Sequence, residues 1–282
     1  MSSVPVQRKN AKGAAKQQQQ QQSQAAAKAD EAMTAKAEGP YTDRMLQGAI
    51  FVAVAVPWLI LVALEKQSPQ ELAQNLVKDL HIKQAMNERG FLDDPRFWYI
   101  VAALSTPHVF YFIVWTNASI FYRLVKPIGE PFQVFALMAH GIKAFQACAL
   151  AVWYFGLDYW LSTDNLVELP HEALTFLGSR STAQLILAGE LFMLGQLFNG
   201  GVYQSIGEAG VYYGCRLGQT VPWVFGFPFS VVPHPQYLGA TVSIWGGVLL
   251  CATSASVSAG IYAIGVIMTV FYFFSSMVEQ HL

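Results

Sequence analysis

The chain has 282 residues, of which 54% are hydrophobic and only 12% charged, against roughly 25% charge in an ordinary soluble domain. Its formal net charge of −1 offers no basic surface for nucleic acid. Seven of the 17 Lys and Arg lie before residue 45, five lie between 66 and 96, and five are spread over all that follows; a polytopic membrane protein explains this segregation and a soluble core does not.

Residues 1–45 are low in complexity, with a glutamine run at 17–22 followed by alanine and lysine, and are expected to form a disordered, solvated tail. No apolar stretch of signal-peptide type occurs in the first 40 residues. A membrane span needs about 20 mostly apolar residues. Runs of that kind cover 46–64, 97–122, 131–156 and 183–206, then Tyr237 to about 254, then 257–278. The predicted fold is all-α: an integral membrane bundle of about five to six transmembrane helices behind the disordered N-terminal tail. Three regions follow, namely the tail (1–45), an extra span with the amphipathic segment ELAQNLVKDLHIKQAM (46–96), and the main membrane domain (97–282). Trp98, Tyr99, Trp153 and Tyr154 stand near span ends, where interfacial anchors belong.

With the N-terminus in the cytosol, 123–130 and 207–236 fall inside and 157–182 falls outside. Arg123 and Lys126 make the first of these basic, while Asp158, Asp164, Glu168 and Glu172 outnumber Arg180 in the last, as the positive-inside rule asks. The segment 65–96 would then be outside despite five basic residues, which six acidic ones offset. Either it lies on the outer leaflet or the first span is misassigned.

His140 and Lys143 are three apart and share a helix face, and Glu190 lies inside the fourth span. Two readings stand: a Lys143–Glu190 contact docking spans three and four, or a polar pocket for a cofactor or a lipid headgroup. Cys148, Cys215 and Cys251 form no CxxC and no paired framework, so neither a disulfide scaffold nor a metal site is expected.

From Gly195 onward glycines crowd the end of the fourth span and its exit. Such glycines serve close backbone approach to a neighbouring helix or to a ligand. The words GEAGVYYG (207–214), FPFSVVPHPQYLG (227–239) and VEQ (278–280) then follow. Together with AALSTPHVFYFIVWTNASIFYRL and GEPFQVFALMAHGIKAF, this text resembles the phospholipid N-methyltransferase family, over about residues 100–280.

The resemblance implies S-adenosyl-L-methionine as methyl donor and an ethanolamine phospholipid in the bilayer as acceptor. It implies a donor site between a glycine motif and an acidic pair after the last span. The family's G-x-G reads Met193-Leu194-Gly195 here, so the first glycine is absent, and its Glu-Glu pair reads Glu279-Gln280. Gly207 and Gly210 are expected beside the donor, and Glu279, with Glu208 as a second carboxylate, opposite its sulfonium and ammonium. His234 and Tyr237 are the candidate catalytic residues, His234 as base or orienter because histidine titrates near neutral pH. A turn histidine between two prolines and an interfacial tyrosine are the bland alternatives. His234-Pro235-Gln236-Tyr237-Leu238-Gly239 also fits the H-P-x-Y-x-G element of isoprenylcysteine carboxyl methyltransferases and sterol-reductase-like proteins, although Pro233 stands where those carry arginine. An inactive membrane scaffold is the non-enzymatic alternative. The expected location is the endoplasmic reticulum membrane, with mitochondrial and plastid membranes as alternatives.

Overall fold

The computed structural model describes residues 40–156 and 173–281. The tail expected over 1–45 lies outside them as far as residue 39, and residues 40–45 already belong to the first helix. The acidic loop expected at Asp158, Asp164, Glu168 and Glu172 also lies outside them. Two compact units divide the chain, Met1–Ala49 and Ile50–Leu282. All that follows concerns the second, apart from the first turns of α1.

Helices α1 (Pro40–Glu65), α2 (Pro69–Asp79) and α3 (Ile82–Asn87) come first, then a 3-10 turn at Gly90–Asp93. Next are α4 (Pro95–Thr116), α5 (Ala118–Val125), α6 (Pro131–Phe155) and α7 (Thr182–Val211). The chain closes with α8 (Pro235–Cys251), α9 (Ser254–Ser258) and α10 (Ile261–His281). The described residues contain no strand. Helix starts are written in proline: Pro69, Pro95, Pro131 and Pro235 each stand in the first turn, where a missing N–H costs nothing. Ser68, Asp94 and Ser181 cap their helices by accepting from Glu71, Arg96 and Gln184 backbone N–H groups.

Five helices are long and apolar enough to cross a bilayer: Leu46–Glu65, Pro95–Thr116, Pro131–Phe155, Thr182–Val211 and Ile261–Gln280. The protein is thus an integral membrane protein by its build. Two of the expected spans differ. The run expected as one span over 97–122 breaks at Asn117, which caps α4 and opens the short α5. The expected fifth span is only 17 residues long. At 1.5 Å per residue that is about 25 Å, short of a hydrocarbon core of roughly 30 Å.

Why α8 can stop short is visible at its end. Its last carbonyls would be orphaned in an apolar setting. Gln184 Nε2 donates to Leu249 O (2.7 Å) and Ala252 O (3.1 Å), Arg180 Nε to Leu250 O (3.0 Å), and Tyr154 OH to Cys251 O (3.2 Å). Side chains from the start of α7 and the end of α6 therefore close the terminus.

α7 and α8 form the closest helix pair. A Cβ on Gly239 would come within 2.7 Å of the Gly195 carbonyl oxygen, and one on Gly246 within 2.8 Å of the Ala188 oxygen. Small residues on both faces let the backbones touch, as membrane helices do. α4 docks on α6 through Gln146, whose Nε2 donates to Leu104 O (2.6 Å), and on α10 through Phe97, Ile100 and Leu104 against Ile264 and Met268. Pro107 interrupts α4. The carbonyl it frees, Ala103 O, accepts instead from the Thr106 hydroxyl (2.7 Å).

The expected Lys143–Glu190 contact is absent. Glu190 accepts from Trp58 Nε1 (2.9 Å), so it ties α7 to α1, and Leu61, Leu72 and Ala183 pack beside that bond. Lys143 instead donates to Tyr272 OH (3.1 Å) and lies over its ring, tying α6 to α10. The amphipathic segment also finds its place. Gln84 donates to Ser254 O and Ser258 Oγ, and Tyr262 OH to Leu80 O. The segment thus lies at the same end of the bundle as α9.

Candidate functional site

The opposite end of the bundle holds the polar site. It begins with a break in α7. Gly207 has φ 65° and ψ −179°, a region that in practice only glycine occupies. The kink turns GEAGVYYG off the helix axis, and Tyr213, itself at φ 57°, swings its ring inward. That ring stacks on the wholly buried Phe135 at 5.0 Å and lies edge-on to Trp115 at 4.9 Å.

Tyr213 OH donates to Glu279 Oε1 at 2.5 Å, and Tyr237 OH donates to the same oxygen. Tyr213 follows α7, Tyr237 stands in the first turn of α8, and Glu279 closes α10. Three remote words of the sequence therefore meet on one carboxylate oxygen. Both bonds end on Oε1, so Oε2 keeps its lone pairs for a ligand. Burial holds the Tyr213 hydroxyl well above an ordinary tyrosine, with Tyr237 and Glu279 adding to the shift, so it stays a donor.

The other expected residues fall into two groups. His234 is the N-cap of α8, its ring 6.1 Å from that of Tyr237, and its Nε2 is buried without a hydrogen bond. Burial lowers its pKa below the usual histidine value. Gln280 is exposed beside Glu279. Gly207 makes the kink, and a Cβ there would meet open space. A Cβ on Gly210 would strike the Ile206 side chain across that kink. Gly195 is buried in the α7–α8 seam, where a Cβ would fall within 2.8 Å of Ser243 N and closer still to the Gly239 oxygen. Met193 is 68% exposed. Glycine in G-x-G position thus serves helix contact in this structure.

Reading the sequence missed several residues that the fold brings here. His108 and Tyr111 of α4 line a small cavity together with Tyr213 and Glu279. Tyr213 lies inside GEAGVYYG, and its spacing from GEAG carries it past the helix end. At the same end, Arg123 and Arg216 face a cavity of about 560 Å³ with Thr116, Ser119 and Tyr122. Arg216 lies over the Trp115 ring at 4.5 Å and donates to its carbonyl (2.9 Å).

An all-helical bundle that holds a half-buried carboxylate between tyrosines at one end, with two arginines at the same end, is a membrane protein with a polar site. A phospholipid methyltransferase profile matches residues 183–282, the stretch that supplies Tyr213, Tyr237 and Glu279. An Arabidopsis thaliana protein named phosphatidyl-N-methylethanolamine N-methyltransferase is 33% identical over 143 residues, which are 49% of this chain and 70% of that protein. The chain belongs to the phospholipid methyltransferase family, and is a membrane enzyme of phospholipid methylation. No solved structure matches it.

Proposed function

We propose that the chain transfers a methyl group from S-adenosylmethionine to the headgroup amine of phosphatidylethanolamine or its methylated derivatives, towards phosphatidylcholine. Among these acceptors the monomethyl lipid has the strongest support, because the Arabidopsis relative is named for it. The reading places the protein in the endoplasmic reticulum membrane with the Glu279 end cytosolic. The main methyltransferase domain would span 97–282, with the tail and α1 outside it.

The observation that carries the reading is the convergence of Tyr213 and Tyr237 on Glu279. When bound, S-adenosylmethionine supplies an electrophilic methyl on a sulfonium. Glu279 fits such a cation: it is a fixed carboxylate in a largely apolar setting, where charge attraction is stronger than in water. Tyr237 and Tyr213 hold its orientation. Arg123 and Arg216 supply two guanidinium groups for the lipid phosphate. Anchoring that phosphate leaves the amine a short tether from Glu279, so the protein contributes mainly proximity and alignment. His234, one turn from Tyr237, orients the loop and the mouth of the site.

The test is transfer of labelled methyl from S-adenosylmethionine, in membranes containing the chain, to each of the three ethanolamine lipids supplied separately. Label should appear in the product of the monomethyl lipid. If none of the three acquires label, the reading is wrong.

A further inference from the structure

The reaction needs a group that frees the nitrogen lone pair, since an alkylamine is protonated at neutral pH; its pKa lies near that of lysine, about 10. Glu279 Oε1 is already held by two hydroxyls. Another group faces the same space. His108, in the middle of α4, lines the cavity shared with Tyr111, Tyr213, Ser275 and Glu279.

The hydrogen bonds around His108 fix its tautomer. Its Nδ1 lies 3.1 Å from Ser275 Oγ. The Ser275 hydroxyl gives its own proton to Phe271 O at 2.9 Å, so it must accept from Nδ1–H. Nε2 is then the lone-pair nitrogen, and it is buried with no hydrogen-bond partner. The ring is clamped edge-on to Tyr272 at 4.6 Å and against Phe271 at 5.3 Å. A buried acceptor without a donor is costly, and one held rigidly at a ligand cavity points to use. The cavity has a volume of about 10 Å³, room for one water. His234, by contrast, does not line this cavity.

We infer that Nε2 of His108 receives the proton of the lipid amine; the inference rests on the methyl-transfer reading above. The ammonium R–NH2(CH3)⁺ gives one proton to Nε2, which becomes an imidazolium still bonded through Nδ1–H to Ser275. The freed nitrogen pair forms the new N–C bond to the donor methyl. The C–S bond breaks with its pair on sulfur, leaving a neutral thioether. The dimethylated nitrogen keeps its second proton and its positive charge. The imidazolium proton then passes to water at the mouth, where Glu279 and Tyr213 stand. The titratable groups facing His108 are Tyr111 on α4, Tyr272 and Glu279 on α10, Tyr213 after α7, and Lys143 of α6, which is bonded to Tyr272.

The test compares wild type, His108→Phe and Ser275→Ala in lipid nanodiscs, with two readouts. The first is methyl transfer from pH 6 to 9, alongside S-adenosylhomocysteine affinity. His108→Phe should lower kcat about 100-fold or more at pH 7, as loss of a general base does, with affinity unchanged. Its rate should keep rising with pH as the amine deprotonates unaided, where wild type levels off. Ser275→Ala should fall about 10-fold, a loss of orientation. The second readout is the His108 ¹⁵N resonance on adding glycerophospho-N-methylethanolamine, where Nε2 should shift and Nδ1 should hold. A wild-type rate and pH profile in His108→Phe, or an unmoved Nε2, overturns the inference. Absent methyl transfer with a shifted Nε2 overturns the functional reading and leaves the contact standing.

Discussion

At the residue scale the site is one carboxylate and what surrounds it. Replacing Glu279 with alanine removes the negative charge and leaves two tyrosine hydroxyls without an acceptor. Hydrogen bonds to charged groups contribute about 1.5–3 kcal/mol. S-adenosylmethionine binding should therefore weaken about 10- to 100-fold in Glu279→Ala, measured by calorimetry, while the protein stays in the membrane fraction. Unchanged affinity would remove Glu279 from the donor site. Arg216→Gln should raise the KM for the phospholipid and leave the donor KM alone, because its guanidinium faces the neighbouring cavity. A raised donor KM would move the arginine to the other substrate. His234 makes a separate prediction through pH. Burial depresses its native pKa below the unfolded value of about 6.5. Its neutral form is favoured in the fold, so that stability is present above pH 6.5 and is lost as the pH falls below it. His234→Asn should flatten the acid side of the thermal-stability profile, read between pH 5 and 7, and a profile identical to wild type would contradict this.

Elements carry the site through two glycine devices. In the α7–α8 seam, Gly195 and Gly239 bring two backbones into contact, and alanine at either position forces them apart. Overpacking of this kind costs about 1–3 kcal/mol. Gly195→Ala should lower the unfolding midpoint in detergent and lower activity with it, since Tyr237 rides on α8. At Gly207 the obstacle is conformational: a Cβ meets no atom, but φ 65° with ψ −179° is strained for any other residue. Much of this was legible beforehand. Long apolar runs mark the spans, prolines mark their starts, and the words around 207–214, 227–239 and 278–280 mark the site. Three things were not. The seating of Gly195 against Gly239 is a relation between two helices, and one strand of text shows only that both are small. The Trp58–Glu190 and Lys143–Tyr272 bonds depend on depth and rotation about helix axes, which apolar periodicity leaves open when all faces are apolar. His108 lies within the second apolar run, and only the tertiary fold brings it to the cavity that Glu279 also lines.

For the whole molecule, the bundle has two chemically different ends. One is closed by Arg180, Gln184 and Tyr154 on the α8 terminus and by α2 and α3 beneath α9. The other holds Glu279, the two tyrosines and the paired arginines. On the proposed reading a phospholipid headgroup occupies only the interface, so Glu279 and its two tyrosines share one membrane face with Arg123 and Arg216, and Gln84 and Ser254 share the other. Alternation of the spans gives the same division, since α7 and α10 both run towards the Glu279 end and α8 runs away from it. Membrane sidedness can be read directly in sealed vesicles, using variants with a single cysteine. Cys215 is exposed two residues beyond Tyr213 and reports the Glu279 end without any substitution. In a Cys148→Ser, Cys251→Ser background, an impermeant maleimide should label Cys215 only from the cytosolic side. With Cys215 removed as well, Lys83→Cys and Ser254→Cys should label only from the opposite side. Labelling of Lys83→Cys together with Cys215 would place the amphipathic segment against the methyl-transfer face, and would contradict its bonds to Ser254 and Ser258.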